Sequence, residues 1–138
     1  MNSNQMIIEQ VSPLNVPATV EKIIATATAK GWQNPAVHDL QQSLAKSDKM
    51  VNPVQVVEIC KPDYSGQMLE KNDERIISVL MPCRISVYEK EDGKTYIAML
   101  NMSAMTEGLP ATSVDAIRAA NNESFEIVKS VIDLYGKG

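Results

Sequence analysis

Cys60 and Cys83 are the only thiols in this 138-residue chain, and a thiol pair is its one chemically reactive constellation. A cysteine works as a nucleophile or soft-metal ligand through its thiolate, so its surroundings decide what it can do. Cys60 stands in Val57-Glu58-Ile59-Cys60-Lys61-Pro62, where Pro62 suits a first helical position and a helix N-terminus stabilises negative charge. Lys61 and Arg84 place a cation beside each thiol. One reading is thiol redox exchange, in which Cys60 attacks and Cys83 resolves. The opposing reading makes both residues small core hydrophobes, because free cysteine is among the most buried residue types. A third gives Cu(I) the soft ligands Cys60, Cys83 and Met102, with Met68, Met81, Met99 and Met105 adding thioethers. Zinc is not expected, since a closed site takes four ligands and the single His38 lies elsewhere in the chain.

Other chemistry is thinner. His38 next to Asp39 has the residue types of a base and its orienting carboxylate, but adjacent residues seldom reach that geometry, and a surface or capping histidine is the simpler reading. There is no Gly-rich phosphate loop, no His-Glu metalloprotease spacing and no Gly-x-Ser-x-Gly elbow. No cofactor and no resident metal are expected.

The elements that must position the thiols follow from periodicity. Met6 to Val11 reads as a strand closed by Ser12-Pro13. Val20, Ile23, Ile24 and Ala27 recur at helical spacing between Pro17 and Lys30, with Gly31 just past the end, and Trp32 follows as a ring suited to cover that end. Residues 33–37 read as extended, and 39–45 as a short helix. Val54 to Cys60 is rich in β-branched residues and reads as a strand; Pro62 opens a short helix to about Glu70; Ile76 to Leu80 reads as a strand or covered loop. The last segment, Thr112 to Tyr135, carries Thr112 and Asp115 in capping-box-like spacing, an apolar stripe of Val114, Ile117, Phe125, Val128, Ile132 and Tyr135, and a stop at Gly136. Asn121-Asn122 is a place where this helix is expected to bend or split.

Between Pro82 and Met102, two β-like runs flank Glu91-Asp92-Gly93-Lys94. With Asp92-Gly93 as a two-residue turn, both at positive φ, Val87 faces Ala98, Ile85 faces Leu100 and Cys83 faces Met102 on an apolar side. The other side then carries Arg84, Ser86, Tyr88, Ile97 and Met99, a mixed surface that suits a ligand groove or an interface.

Composition sets the bounds. The length matches one domain with one core, residues 1–138, with 1–5 as a disordered tail. Only 4% of residues are aromatic, so the core is aliphatic with eight methionines. The net charge of -4 gives no general attraction to nucleic acid or anionic membrane. No signal peptide and no membrane-spanning run are read, so a cytoplasmic location is expected.

The order strand, helix, two-cysteine centre and terminal helix resembles the domain-of-unknown-function family 302 over residues 6–103. Cys60-Lys61-Pro62 and Pro82-Cys83-Arg84-Ile85-Ser86-Val87-Tyr88-Glu89 ahead of a turn carry the likeness. The resemblance implies an α+β fold like the repeat of the TATA-binding protein, with helices on one face of a mainly antiparallel curved sheet, often as a homodimer. It implies no established activity, and a fold shared with a DNA-binding protein does not carry DNA binding over. Together these readings favour a non-enzymatic ligand-binding or protein-interaction module, with thiol redox through Cys60 and Cys83 as the alternative and Cu(I) binding behind it.

Overall fold

The structure is a computed structural model that describes residues 5–133. The expected tail falls largely outside those residues, as do Tyr135 and Gly136. In chain order the elements are β1 (Ile7–Ser12), α1 (Val16–Ala29), β2 (Val37–Asp39), α2 (Leu40–Ala45), β3 (Val54–Ile59) and α3 (Pro62–Leu69). A 3₁₀ segment (Asn72–Leu80), β4 (Cys83–Glu89), β5 (Thr95–Leu100), a 3₁₀ turn (Met102–Ala104) and α4 (Ala111–Ile132) follow. The strands form one sheet in the order β1-β5-β4-β3-β2, every neighbouring pair antiparallel.

The α+β class holds, but the curved, TATA-binding-protein-like sheet does not. The sheet is open and neither strongly curled nor closed. The local reason lies in the strands themselves: β1, β3, β4 and β5 contain no glycine, and their three ladders run without an interrupting bulge. Bulges and interior glycines are the devices that bend a sheet sharply.

Alternation along each strand divides the sheet into two faces. Ile8, Val57, Ile59, Ile85, Val87, Ile97 and Met99 are buried on the inner face, where Val16, Val20 and Ile23 of α1 and Ile127, Val128 and Val131 of α4 join the same core. α1 starts where Asn15 Oδ1 accepts from the Ala18 N–H at 2.9 Å. The buried Ser12 and Thr19 hydroxyls, 2.7 Å apart, fasten the end of β1 to that first turn.

The β4–β5 hairpin differs from its expected register by one residue. Ile85 pairs with Met99, Ser86 with Ala98, Val87 with Ile97 and Tyr88 with Tyr96. The loop has three residues, not two: the Lys90 N–H donates to the Lys94 carbonyl at 3.1 Å and the Gly93 N–H to the Lys90 carbonyl at 3.0 Å. Only Gly93 takes positive φ, at 78°, because a turn closed by one left-handed residue demands it of the last position alone. The extra loop residue turns Ile97 and Met99 inward, at 0% and 7% exposure. They therefore leave the mixed face and do not join Arg84, Ser86 and Tyr88 there.

Three further expectations change. Residues 72–80 form the 3₁₀ segment, which buries Ile77 and leaves Ile76 and Val79 exposed. α4 is continuous through Asn121-Asn122; Asn121 serves the 3₁₀ turn after β5, accepting from the Met102 N–H at 2.9 Å. No Thr112–Asp115 capping box forms. The anion near the start of α4 is instead the buried Glu74, which accepts from Ser113 Oγ at 2.5 Å, where the helix dipole favours negative charge.

At Gly93 an added Cβ meets nothing within 4 Å, so a substitution there meets only the left-handed backbone penalty. Gly93→Ala is expected to lower unfolding stability by about 1–2 kcal/mol, and Gly93→Asn by clearly less. Urea denaturation of the two variants measures this; equal stability of Gly93→Ala and wild type would contradict the loop assignment.

Candidate functional site

β4 begins with Cys83 on the inner face, opposite Ile59 of β3, and reaches it through a cis Met81–Pro82 peptide bond. Cys60, one residue past Ile59, is held by a bridge to Gln33 in which each residue's N–H donates to the other's carbonyl, at 2.7 and 2.9 Å. The strand register therefore places both thiols at one end of the sheet, as free cysteines.

Three cavities meet at Cys83. The largest, about 240 Å³, lies between the start of β4, the end of β5 and α4, with Leu80, Met99, Met102, Asn121 and Ser124 in its walls. A second, about 50 Å³, is lined by Met68, Ile77, Met81, Met102 and Ile117 around the same thiol. A third, about 30 Å³, has Cys60, Tyr64, Met68 and Ala120 beside Cys83. A wider depression of about 590 Å³ lies at the hairpin tip among residues 50–52 and 89–92. It is an open trough away from the thiols, so the more sheltered and more apolar spaces around Cys83 are the better candidate despite their size.

The two thiols are chemically unlike. Burial pushes the Cys83 thiol above its ordinary value, a hydrogen bond with Ser124 partly offsets this, and the charge of Cys60 adds to the rise. Cys60 Sγ donates to Ser65 Oγ at 3.6 Å. The pair shares a cavity wall but is not close.

Beside the thiols lies a polar cluster. Glu123 of α4 accepts from Trp32 Nε1 at 2.9 Å, from Lys61 Nζ at 2.6 Å and from Tyr64 Oη at 2.5 Å. Desolvation pushes this carboxyl upward, but hydrogen bonds from Lys61, Tyr64 and Trp32 outweigh it and hold the carboxyl below its ordinary value. The same contact with Glu123 raises the Lys61 ammonium and, ahead of burial, the Tyr64 phenol. Lys61 is thus committed to Glu123 and not to the neighbouring thiol. The sequence reading missed this cluster. Its trace is the polar run Asn121-Asn122-Glu123-Ser124 inside an otherwise apolar helical stripe, where Asn121 and Ser124 are buried between Ile117 and Val128.

Of the mixed-face residues, Arg84, Ser86 and Tyr88 share the outer face of the sheet. Tyr88 donates to Glu9, which Lys90 Nζ also contacts at 3.0 Å, and it stacks on Tyr96 with ring centroids 6.1 Å apart. The hydrogen bond from Tyr88, then that from Lys90, holds Glu9 below its ordinary value. Glu58 lies 3.0 Å from His38 Nε2 and 3.9 Å from Arg84 Nε. His38 therefore answers to Glu58 across the strands, while Asp39 caps α2 through the Gln42 N–H.

Among the described residues, no three His, Cys, Asp or Glu side chains come together to hold a metal ion, and no helix is long and apolar enough to cross a membrane.

The family model described as domain of unknown function DUF302 matches residues 8–133, carrying the likeness through α4. A crystal structure titled as an uncharacterized conserved protein DUF302 from Bacillus stearothermophilus is similar, with a TM-score of 0.81 and 15% identity over 92% of this chain and 98% of that one. At this identity the likeness shows the fold. No curated protein matches.

Because its folded carboxyl is depressed, Glu123 stabilises the protein above its ordinary value of 4.5, and this contribution disappears as pH falls through the folded value. Glu123→Gln should therefore lose less stability than wild type when urea unfolding is repeated from pH 6 to pH 3. Parallel profiles for the two proteins would show that the cluster does not hold the carboxylate.

Proposed function

The chain belongs to the DUF302 family, and from that premise we propose that it is a non-enzymatic binding module that takes a small apolar ligand in the cleft around Cys83. The observation that carries this reading is the meeting of three cavities at one thiol, with Met68, Met81, Met99, Met102 and Leu80 among their walls. Methionine side chains are unbranched and polarisable, so a wall built from them adapts to an occupant. The 240 Å³ space, bordered on its open side by the exposed Val79, Arg84 and Leu100, has room for a compact hydrocarbon group. Asn121 and Ser124 supply polar points at its wall, the few oriented groups such pockets use for selectivity. Cys83, with its raised thiol, serves in this reading as wall and not as nucleophile. A second copy of the chain is proposed as its partner.

Uptake of n-butylbenzene by the native protein tests the reading, followed through the methyl resonances of Met68, Met81 and Met102. Saturable shifts in those methyls are expected, and Cys83→Leu, which fills the junction, should weaken binding roughly tenfold or more. Ala120→Leu gives a second filled variant should Cys83→Leu fail to fold. No shift in wild type, or unchanged affinity in a folded filled variant, would overturn the proposal.

The thiol redox reading rests on one observation, the cavity wall that Cys60 and Cys83 share. It requires an accessible thiol whose pKa is depressed. Iodoacetamide labelling against pH, with Cys60→Ser and Cys83→Ser to separate the two sites, should find Cys83 slower in native than in urea-unfolded protein. A native thiol that reacts fastest below pH 7 would favour redox chemistry over the binding module.

A further inference from the structure

The ladder between β4 and β5 runs from Glu89–Thr95 to Ile85–Met99 and stops there, although β4 reaches back to Cys83 and β5 on to Leu100. Beyond that point the ladder pairing of each strand is with its other neighbour: Arg84 pairs with Glu58 of β3, and Leu100 with Ile7 of β1. The 240 Å³ space beside Cys83 lies at this parting. Cys83, Ile85 and Met99 border it from the inner face, and Arg84 and Leu100 from the outer face, so it opens round the end of the sheet.

Within this space a charged group has nothing to meet. Leu80, Met99 and Met102 are apolar, and the polar wall residues already hold partners in the chain: Asn121 the Met102 N–H and the Ser103 hydroxyl, Ser124 the Ala120 carbonyl. Burying a charge without a partner is costly. The mouth is different. Arg84 is the one charged residue that borders the space, and its side chain is 56% exposed. Among the described residues its polar contact is the 3.9 Å approach of Nε to Glu58, beyond hydrogen-bond range, and Glu58 lies closer to His38, at 3.0 Å. The paired Nη groups are therefore uncommitted, and that planar fork matches the two oxygens of a carboxylate.

We propose that the occupant of this cleft is an amphiphile with a short hydrocarbon tail and a carboxylate head, the tail against Leu80, Met99 and Met102 and the head on Arg84 at the mouth. The inference rests on the reading of the cleft as an apolar binding site and adds the class of ligand. The exposed Val79 and Leu100 border the same opening and continue the apolar wall toward solvent, where the head must stay. A cationic head meets like charge at Arg84, and a neutral head gains only the weaker, uncharged hydrogen bonds. One guanidinium suits the single charge of a carboxylate, whereas a phosphate ester near two charges would also face Glu58.

Titration of the full chain with n-butylbenzene, phenylvalerate and phenylvaleramide, followed through the methionine methyl resonances, separates head from tail because all three carry the same phenylbutyl group. Phenylvalerate should bind roughly tenfold tighter than its neutral amide. The net charge of -4 works against anions in general, so a preference for the acid reports a local cation. Arg84→Gln should abolish the difference between acid and amide, Arg84→Lys should restore part of it, and Glu58→Gln should widen it. If n-butylbenzene binds but phenylvalerate binds no tighter than the amide, or if Arg84→Gln leaves the difference in place, the carboxylate head is overturned and the apolar cleft stands. If none of the three binds, both readings fall.

Discussion

The three-residue loop between β4 and β5 decides which side of the sheet each residue of that hairpin occupies. Strand side chains alternate, so one residue more or less in a loop inverts an entire strand. Gly93 supplies the left-handed conformation that admits the third loop residue, and with it Ile97 and Met99 face α1 and α4 while Tyr96 and Ala98 face outward. Because β5 lies between β1 and β4, the same choice propagates to β1 and turns Ile8 inward and Glu9 outward. Core, cleft and edge all inherit their composition from this parity.

α4 then gives the inner layer its chemical division. Toward its C-terminal end the buried stripe is aliphatic, with Ile127, Val128 and Val131 against the sheet. Toward the thiols the stripe turns polar, with Asn121, Glu123 and Ser124 each spoken for: by the Met102 N–H, by the Trp32, Lys61 and Tyr64 donors, and by the Ala120 carbonyl. Buried polar groups are tolerated only when bonded, and no buried side-chain polar atom among the described residues lacks a partner. What remains unfilled is apolar space around Cys83.

How much of this was legible follows from the range of each signal. β1, α1, β3 and α3 were readable because their cues are local: apolar periodicity, the β-branched run from Val54, Pro17 and Pro62. The hairpin was readable as a hairpin from Asp92-Gly93, yet its loop length was not, since both two- and three-residue loops place glycine at a left-handed position. Ala98 and Leu100 can sit on either face, while the β-branched Ile97 is the better guide to the core. The continuity of α4 was misjudged because Asn121-Asn122 looks like an interruption until Met102 is known to need an acceptor. Glu123 was invisible for a related reason: its three donors lie 59, 62 and 91 residues away, and no local pattern brings them together. The resemblance named the right family but carried an expectation of curvature that these glycine-free strands do not meet.

The cleft is a consequence of covering one face of an open sheet. α1 and α4 cover the inner face, but the layer beneath Cys83 is closed by α3 and the 3₁₀ segment, whose own core of Met68 and Ile77 packs on Ala116 and Ile117. This smaller cluster meets the main core at Tyr64, which packs against both, and the cavities lie along that junction. Glu123 binds Lys61 and Tyr64 across this boundary. Those hydrogen bonds join α4 to the start of α3, so the cluster acts as a clasp beside the cleft. It ties the two clusters together without touching the hairpin parity on which the rest of the sheet depends.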